Sequence, residues 1–362
     1  MSAPYRFSAV LIAMLAWPAV AAAQAEAPPA EAPPPKSLSV GTEGLFNPAL
    51  LLQGWFTYDK ADETATTFRL RRAEVHLKGE ILPKQLAYEI FIDPARVLEF
   101  QNTQLTDSGG DTVTVRQPQG NATILQDFLI TYITDFVDVS IGQFKIPVSL
   151  EGTTSSAKLY FPERALVAGT FGDKRDIGLR LTKKFDKFSY MAELVNGAGQ
   201  NLRDTNNEKD ASLRLEIYPV KGVTIAGVTY DTVGDREKAG SKDRWEGDLR
   251  YEDGPIIVQG EFIRSRDVPA DDADAVEGQG FYGMAGYKLE TLPGQQLQPV
   301  VRVGQFDPNI DVDDDETWVY EGCLDYYIKG HEAKVQLSYS RFEYQDDRTA
   351  NNSLILASQV WF

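Results

Sequence analysis

From Leu50 to Phe362, apolar side chains recur at every second position in segments of about 8 to 14 residues, with turn residues between them. The stretch DRWEGDLRYED is the clearest. Trp245, Gly247, Leu249 and Tyr251 fall on one face, and Arg244, Glu246, Asp248 and Arg250 on the other. GFYGMAGYKLE, TWVYEGCLDYYI, HEAKVQLSYS, ASLRLEIYP and DIGLRLTKKF divide in the same way, and helical spacing hardly occurs. Period two with one apolar and one charged face specifies strands, because successive side chains on a strand point to opposite sides of its sheet.

Sixteen such segments can be delimited, at about 50–58, 66–80, 85–93, 124–133, 137–145, 176–184, 188–196, 209–218, 222–231, 242–253, 255–265, 279–290, 297–306, 316–328, 331–342 and 353–362. Short connections such as LPKQ, TDF, FDK, PVKG, DGP and KGH alternate with longer polar ones, among them 94–123, 146–175 and 266–278. An even strand number with alternating tight and long connections predicts an all-β, antiparallel transmembrane barrel with both termini on the periplasmic side. A soluble sandwich or propeller also has period two. Here, however, the apolar face carries Phe56, Tyr58, Phe68, Tyr132, Trp245, Tyr251, Tyr287, Trp318, Tyr320, Tyr326 and Tyr339, often towards segment ends, as interfacial girdles do. A Lys or Arg facing lipid at mid-bilayer costs about 2 to 4 kcal/mol, so the charged faces must line a wet interior.

The chain ends NNSLILASQVWF, in mid-strand and on an aromatic. In a closed barrel the first strand covers the free edge of the last, and a final aromatic sits at the lipid–water boundary. Leu354, Leu356, Val360 and Phe362 share one parity, which assigns them to the lipid face. A terminal Phe after alternating residues resembles the assembly signal of bacterial outer-membrane barrels, and that resemblance implies recognition of Phe362 by the barrel-insertion machinery.

At the other end, MSAPYRFSAVLIAMLAWPAVAAAQ places Arg6 before an apolar stretch and a run of small residues, the pattern of a cleaved secretory signal over residues 1–23. Pro18 and the shortness of the apolar core argue against a membrane anchor. Residues 24–45 read as a Pro-rich periplasmic spacer and 46–362 as the barrel. A net charge of −17 and a pI near 4.6 argue against nucleic acid or an anionic membrane surface as partners. One cysteine, Cys323, excludes an internal disulfide, and two histidines, His76 and His331, leave little for a metal centre, so neither metal nor cofactor is expected.

Two stretches carry a more specific signal. FRLRRAEVHLKGEI (Phe68 to Arg72, then Leu77-Lys78-Gly79) and GQFKIPVSLEGTTSSAKLYFPERALV…FGDKRDIGLRL (Gly142 to Lys145, Pro147, Thr154 to Ser156, Phe161, Glu163 to Leu166, Arg175, Gly178) resemble the phosphate-selective porin O/P family of Gram-negative outer membranes. That resemblance implies a sixteen-stranded, trimeric porin in the outer membrane, conducting small hydrophilic solutes or ions, whose third outer loop folds into the pore and narrows it. Residues 146–175 occupy that position.

This loop has its own claim to the constriction. About 30 residues without a strand are unusual in a loop with no function. Leu159, Tyr160, Phe161, Ala165, Leu166, Val167 and Phe171 make it too apolar for water. Fixed charges at a narrowing select ions. The candidates are Glu163, Arg164, Lys174 and Arg175 in the loop, with Arg72 and Arg180 on the wall. The alternative for Glu163 and Arg164 is that they simply pin the loop.

By parity, inward Arg72, Lys78, Arg180, Arg214, Arg244, Arg250, Lys288, Arg302 and Lys334 are nearly balanced by Glu74, Glu89, Asp127, Glu216, Glu246, Asp248, Glu261, Glu290, Glu321 and Asp325. Acidic outer loops (Asp271, Asp272, Asp274; Asp311, Asp313, Asp314, Asp315, Glu316; Asp346, Asp347) add to the negative side, and the expectation is weak selectivity. GQGFYG matches G-x-G-x-x-G without the strand-to-helix context of a dinucleotide site, and DVDDDETWVYEG lacks the Gly and final carboxylate of an EF-hand. The rival classes are an outer-membrane barrel enzyme of lipase or protease type, for which G-x-S-x-G and H-E-x-x-H are absent, and a structural or adhesive surface barrel.

Overall fold

The computed structural model describes residues 38–40, 44–61, 63–98, 100–106, 112–118, 123–271, 273–346 and 348–362. The signal expected at 1–23 and most of the spacer lie outside them, as do Asp272 and Asp347.

Sixteen strands close into one antiparallel barrel: Gly44–Lys60, Thr64–Leu82, Leu86–Ile92, Leu125–Tyr132, Asp138–Lys145, Arg175–Lys184, Phe188–Val195, Lys209–Ile217, Val223–Val233, Lys242–Asp253, Ile256–Asp267, Val276–Tyr287 continued by Leu289–Leu292, Gln295–Asp307, Thr317–Lys329, Ala333–Tyr344 and Asn351–Trp361. Each pairs with its neighbours in sequence, and the last returns to the first with Leu51 opposite Trp361. The Leu50 amide donates to the Phe362 carbonyl at 2.7 Å and the Phe362 amide to the Leu50 carbonyl at 3.0 Å, so the seam is hydrogen-bonded to the final residue. Closure leaves no barrel edge for another strand to capture.

Polarity is inverted relative to a water-soluble protein. Arg72, Arg302 and Lys334 are among the largest fully buried side chains, whereas Phe68 is 83 % exposed and Leu249, Phe262, Leu324, Leu354 and Leu356 all face outward. Lipid is the solvent for that outer face, which is why backbone polar groups must all be satisfied within the sheet. Cys323 is buried and free.

Three details depart from the sequence reading. A short strand, Leu38–Val40, pairs with Gly44 to Phe46, so the sheet reaches back into the stretch read as spacer. The 94–123 connection carries a hairpin of its own, Phe100–Thr106 with Thr112–Pro118. In the second barrel strand the register shifts: Gln53 faces Arg72 and Gly54 faces Leu70, leaving Arg71 as a bulged residue. A bulge adds one residue to one strand and reverses the parity beyond it.

Candidate functional site

Residues 146–174 leave the wall after Lys145 and fold inward as three short turns, helix Leu150–Thr153, 3-10 helix Ser156–Lys158 and helix Leu166–Phe171. Val148, Tyr160, Phe161, Val167 and Phe171 pack into one buried cluster with Val228, Ile257, Ile263, Tyr282, Met284, Val300 and Cys323 of the wall. Burying these groups removes apolar area from water at about 25 cal/mol per Å². The lumen wall is therefore charged only in part, with an apolar landing strip for the loop. Where the loop turns back on itself, Gly172 approaches Ser149 so closely that an added Cβ would stand 2.4 Å from the Ser149 Cβ.

Polar contacts fix the loop in register. The Ser149 amide donates to Glu246 Oε2 at 2.6 Å, its hydroxyl to Glu261 Oε1 at 2.7 Å, and the Leu150 amide to Glu261 Oε2 at 2.8 Å. Arg302 Nη1 donates to both oxygens of Glu151, at 2.9 and 3.0 Å, and Nη2 donates to the Glu163 carbonyl at 3.0 Å. Glu151 in turn accepts from the Ala165 amide at 2.6 Å, and Lys334 Nζ donates to the Leu159 carbonyl at 2.6 Å. Gln359 Nε2 donates to the Ala157 carbonyl at 3.0 Å. These partners lie on strands from Lys242–Asp253 through to Asn351–Trp361, so the loop covers that side of the lumen.

Beside the loop a partly open cavity of about 760 Å³ remains, here called the funnel. Its lining holds seven basic residues, Arg71, Arg96, Arg164, Lys174, Arg175, Lys242 and Arg244, against three acidic ones, Glu163, Asp173 and Asp176, an excess of four positive charges. The balance expected from parity does not describe this surface. Glu74, Glu246, Asp248, Glu261 and Asp325 do point inward, but all are buried, largely beneath the loop or in wall ion pairs. Arg71, Arg96 and Lys242 were not among the residues singled out from sequence. The signal for Arg71 is the doubled Arg71-Arg72, which breaks alternation and marks the bulge.

The six candidates separate into different situations. Lys174 is exposed on the funnel wall, with Nζ 3.4 Å from the Gly169 carbonyl. Glu163 is half-exposed there and paired with Arg71. Arg164 and Arg175 line the funnel with 9 % and 5 % of their surface exposed, and both also make contacts that hold the loop. Arg164 donates to the Glu151 carbonyl at 2.7 Å and the Thr154 carbonyl at 3.0 Å, and Arg175 pairs with Asp127 at 2.7 Å. Arg72 is 1 % exposed and donates to Gln53 at 2.6 Å. Arg180 pairs with Glu193 at 2.6 Å and lies over the Phe144 ring, 3.9 Å from its centroid.

Asp173 joins the loop to the wall, with Lys145 Nζ at 2.6 Å, Arg164 Nη1 at 3.1 Å and Arg175 Nη1 at 3.8 Å. Burial alone would raise its carboxyl, yet Lys145, Arg164 and Arg175 hold it well below the usual carboxylate range. Glu163 is likewise pushed up by burial and held lower overall by Arg71 and Arg72. Depressed carboxylates stabilise the fold above their unfolded values, roughly 3.9 for Asp and 4.3 for Glu, and lose that contribution as pH falls towards the folded values. The contacts of Asp173 and Glu163 are therefore expected to hold from neutral pH to about pH 5 and to alter conductance only below about pH 4, which a pH series in planar bilayers checks by comparing wild type with Asp173→Asn.

Comparison with known proteins agrees with this architecture. A sequence model described as phosphate-selective porin O and P matches residues 53–242 and 226–360. No curated protein matches the chain. Among solved structures, a loop L8 deletion mutant of OmpT, an outer membrane protein of Vibrio cholerae, superimposes with a TM-score of 0.60 at 12 % identity, over 88 % of this chain and 99 % of that one. The anion-selective porin from Comamonas acidovorans gives 0.60 at 11 % identity, over 88 % and 100 %. Salmonella typhi OmpF in complex with daunomycin gives 0.59 at 10 %, over 88 % and 98 %. At such identities the likeness is one of fold, whereas the family match runs along most of the barrel. The chain is a porin, a non-enzymatic outer-membrane β-barrel, and belongs to the phosphate-selective porin O and P family.

Proposed function

We propose that the channel passes small hydrophilic solutes with a preference for anions, inorganic phosphate among them. The observation that carries this reading is the funnel lining, seven basic residues against three acidic ones. Fixed charge acts most strongly at a narrowing, where water screens least, and a lining with an excess of one sign favours ions of the other sign. The acidic residues of the outer loops act from farther away, through solvent that screens within about 8 Å at physiological salt. The parity count included charges of both signs buried under the loop or in the wall, Glu246, Glu261, Arg302 and Lys334 among them, so the exposed funnel lining is the better guide to selectivity.

Three further elements belong to the same proposal: export by a signal over residues 1–23, recognition of Phe362 by the insertion machinery, and assembly as a homotrimer. The test of the channel itself is ion replacement in planar bilayers. Exchanging potassium for N-methylglucamine in a chloride solution should leave most of the conductance, whereas exchanging chloride for gluconate should remove most of it. The opposite pattern would contradict anion preference, and the absence of conductance would contradict a channel.

A further inference from the structure

The backbone ladder between Leu125–Tyr132 and Asp138–Lys145 ends where Phe128 faces Gln143, although both strands run on past that level. The Gln143 side chain, 4 % exposed, stands in this break and donates to the Gln126 carbonyl at 2.7 Å. The break is bridged by the outer connection after Phe188–Val195, whose stretch NGAGQN carries Gly197, Gly199 and Asn201 at φ of 78°, 94° and 58°. Left-handed positions so close together curl the chain back, and glycine and asparagine tolerate them best. The Asn201 amide donates to Gln143 Oε1 at 2.7 Å, and Gln143 Nε2 donates to Asn201 Oδ1 at 2.9 Å. Gln200 Nε2 and Asn201 Nδ2 donate to the Leu125 carbonyl at 2.7 and 3.0 Å, and the Gly199 amide donates to Asp176 Oδ2 at 3.0 Å.

Gly199 and Gln200 of this turn line the funnel. Across the barrel, helix Leu166–Phe171 rests on strands Val276–Tyr287 and Gln295–Asp307, with the Phe171 and Phe306 rings 5.6 Å apart and Val167 packed where a Cβ on Gly280 would stand. Leu166, Gly169 and Thr170 of that helix line the same funnel. None of these five lining residues carries a charge, so the space between them discriminates by size while the basic residues around it discriminate by sign. Building on the channel reading above, we propose that residues 197–202 are a second jaw of the constriction, mounted on the wall and seated by Gln143 as its positioning residue, and that the gap between this jaw and helix Leu166–Phe171 sets the size limit of the solute.

The test is exclusion of neutral polyethylene glycols of graded size from the open channel in planar bilayers, read as the smallest polymer that no longer lowers the current. Gln143→Ala removes both contacts to Asn201 and should shift that limit to larger polymers and raise conductance, with the reversal potential in a salt gradient unchanged. In a second variant, Gln200→Cys made together with Cys323→Ser, reaction with neutral thiosulfonates of increasing size should lower both the current and the limit in steps. Should Gln143→Ala fail to insert, the thiol series carries the test by itself. A current and limit indifferent to the bulk attached at position 200 would overturn the second jaw, as would an unmoved limit in inserted Gln143→Ala. A wild-type protein that conducts no ions would instead overturn the channel reading on which the proposal rests.

Discussion

Replacing Arg302 with alanine is expected to release the infolded loop and raise single-channel conductance, with the largest loss of stability of any single substitution in the lumen. Arg302 is 1 % exposed and joins three partners: the Glu151 carboxylate, the Glu163 carbonyl and Glu321. Its guanidinium also lies 4.2 Å from the centroid of the Phe161 ring. Truncation leaves Glu151 and Glu321 as buried carboxylates without their cation, which costs about 3 to 5 kcal/mol when one member of a buried pair is removed. Glu151 keeps its bond from the Ala165 amide, and that alone cannot offset the lost charge. The barrel has its own closed ladder, so the penalty falls on the loop. Larger, noisier channels and a lower temperature of heat modification are the expected signatures. Unaltered conductance would show that the apolar packing of Tyr160, Phe161, Val167 and Phe171 holds the loop unaided.

The second large effect concerns charge. The funnel lining holds seven basic residues against three acidic ones, of which Arg96, Arg175 and Arg244 are paired with Asp93, Asp127 and Asp267 just outside it, and converting Lys174 and Lys242 to glutamate changes the lining charge by minus four, two for each residue. Among the described ion pairs neither lysine holds a carboxylate: Lys174 Nζ reaches the Gly169 carbonyl at 3.4 Å and Lys242 Nζ the Gly197 carbonyl at 3.3 Å. Lys174→Glu with Lys242→Glu should therefore abolish anion preference while leaving the loop in place. Neutralising Asp313 and Asp314 in an outer loop should shift selectivity far less, because exposed charges there are screened. A reversal potential that moves equally in both variants would place the selecting charges in the loops and not in the funnel.

The barrel was legible because its physics is local: an alternating strand between lipid and water has to write its facing into every second residue, as Leu249 and Asp248 do. The constriction was legible only as a loop too apolar for solvent, Leu159 to Phe161 and Ala165 to Val167. What it packs on was not, since Ile257, Ile263 and Val300 come from distant strands and become neighbours through barrel stagger. The same limit explains the charge count. Parity assigns Glu246 and Glu261 to the lumen correctly, yet it cannot reveal that Ser149 and Leu150 lie over them. Parity also fails at Arg71, where one extra residue turns two consecutive arginines towards Glu163. Of the six candidates, Arg164, Lys174 and Arg175 all line the funnel, Lys174 exposed and the two arginines buried in ion pairs with Asp173 and Asp127 that parity cannot reveal.

Solute is proposed to meet a net-basic funnel beside an infolded loop. The most direct test is the reversal potential of the wild-type channel in a steep potassium chloride gradient. With a net-basic funnel the sign is set by chloride permeation, and the potential diminishes as salt rises and screens the lining. A potential near zero, or one set by potassium, would contradict it.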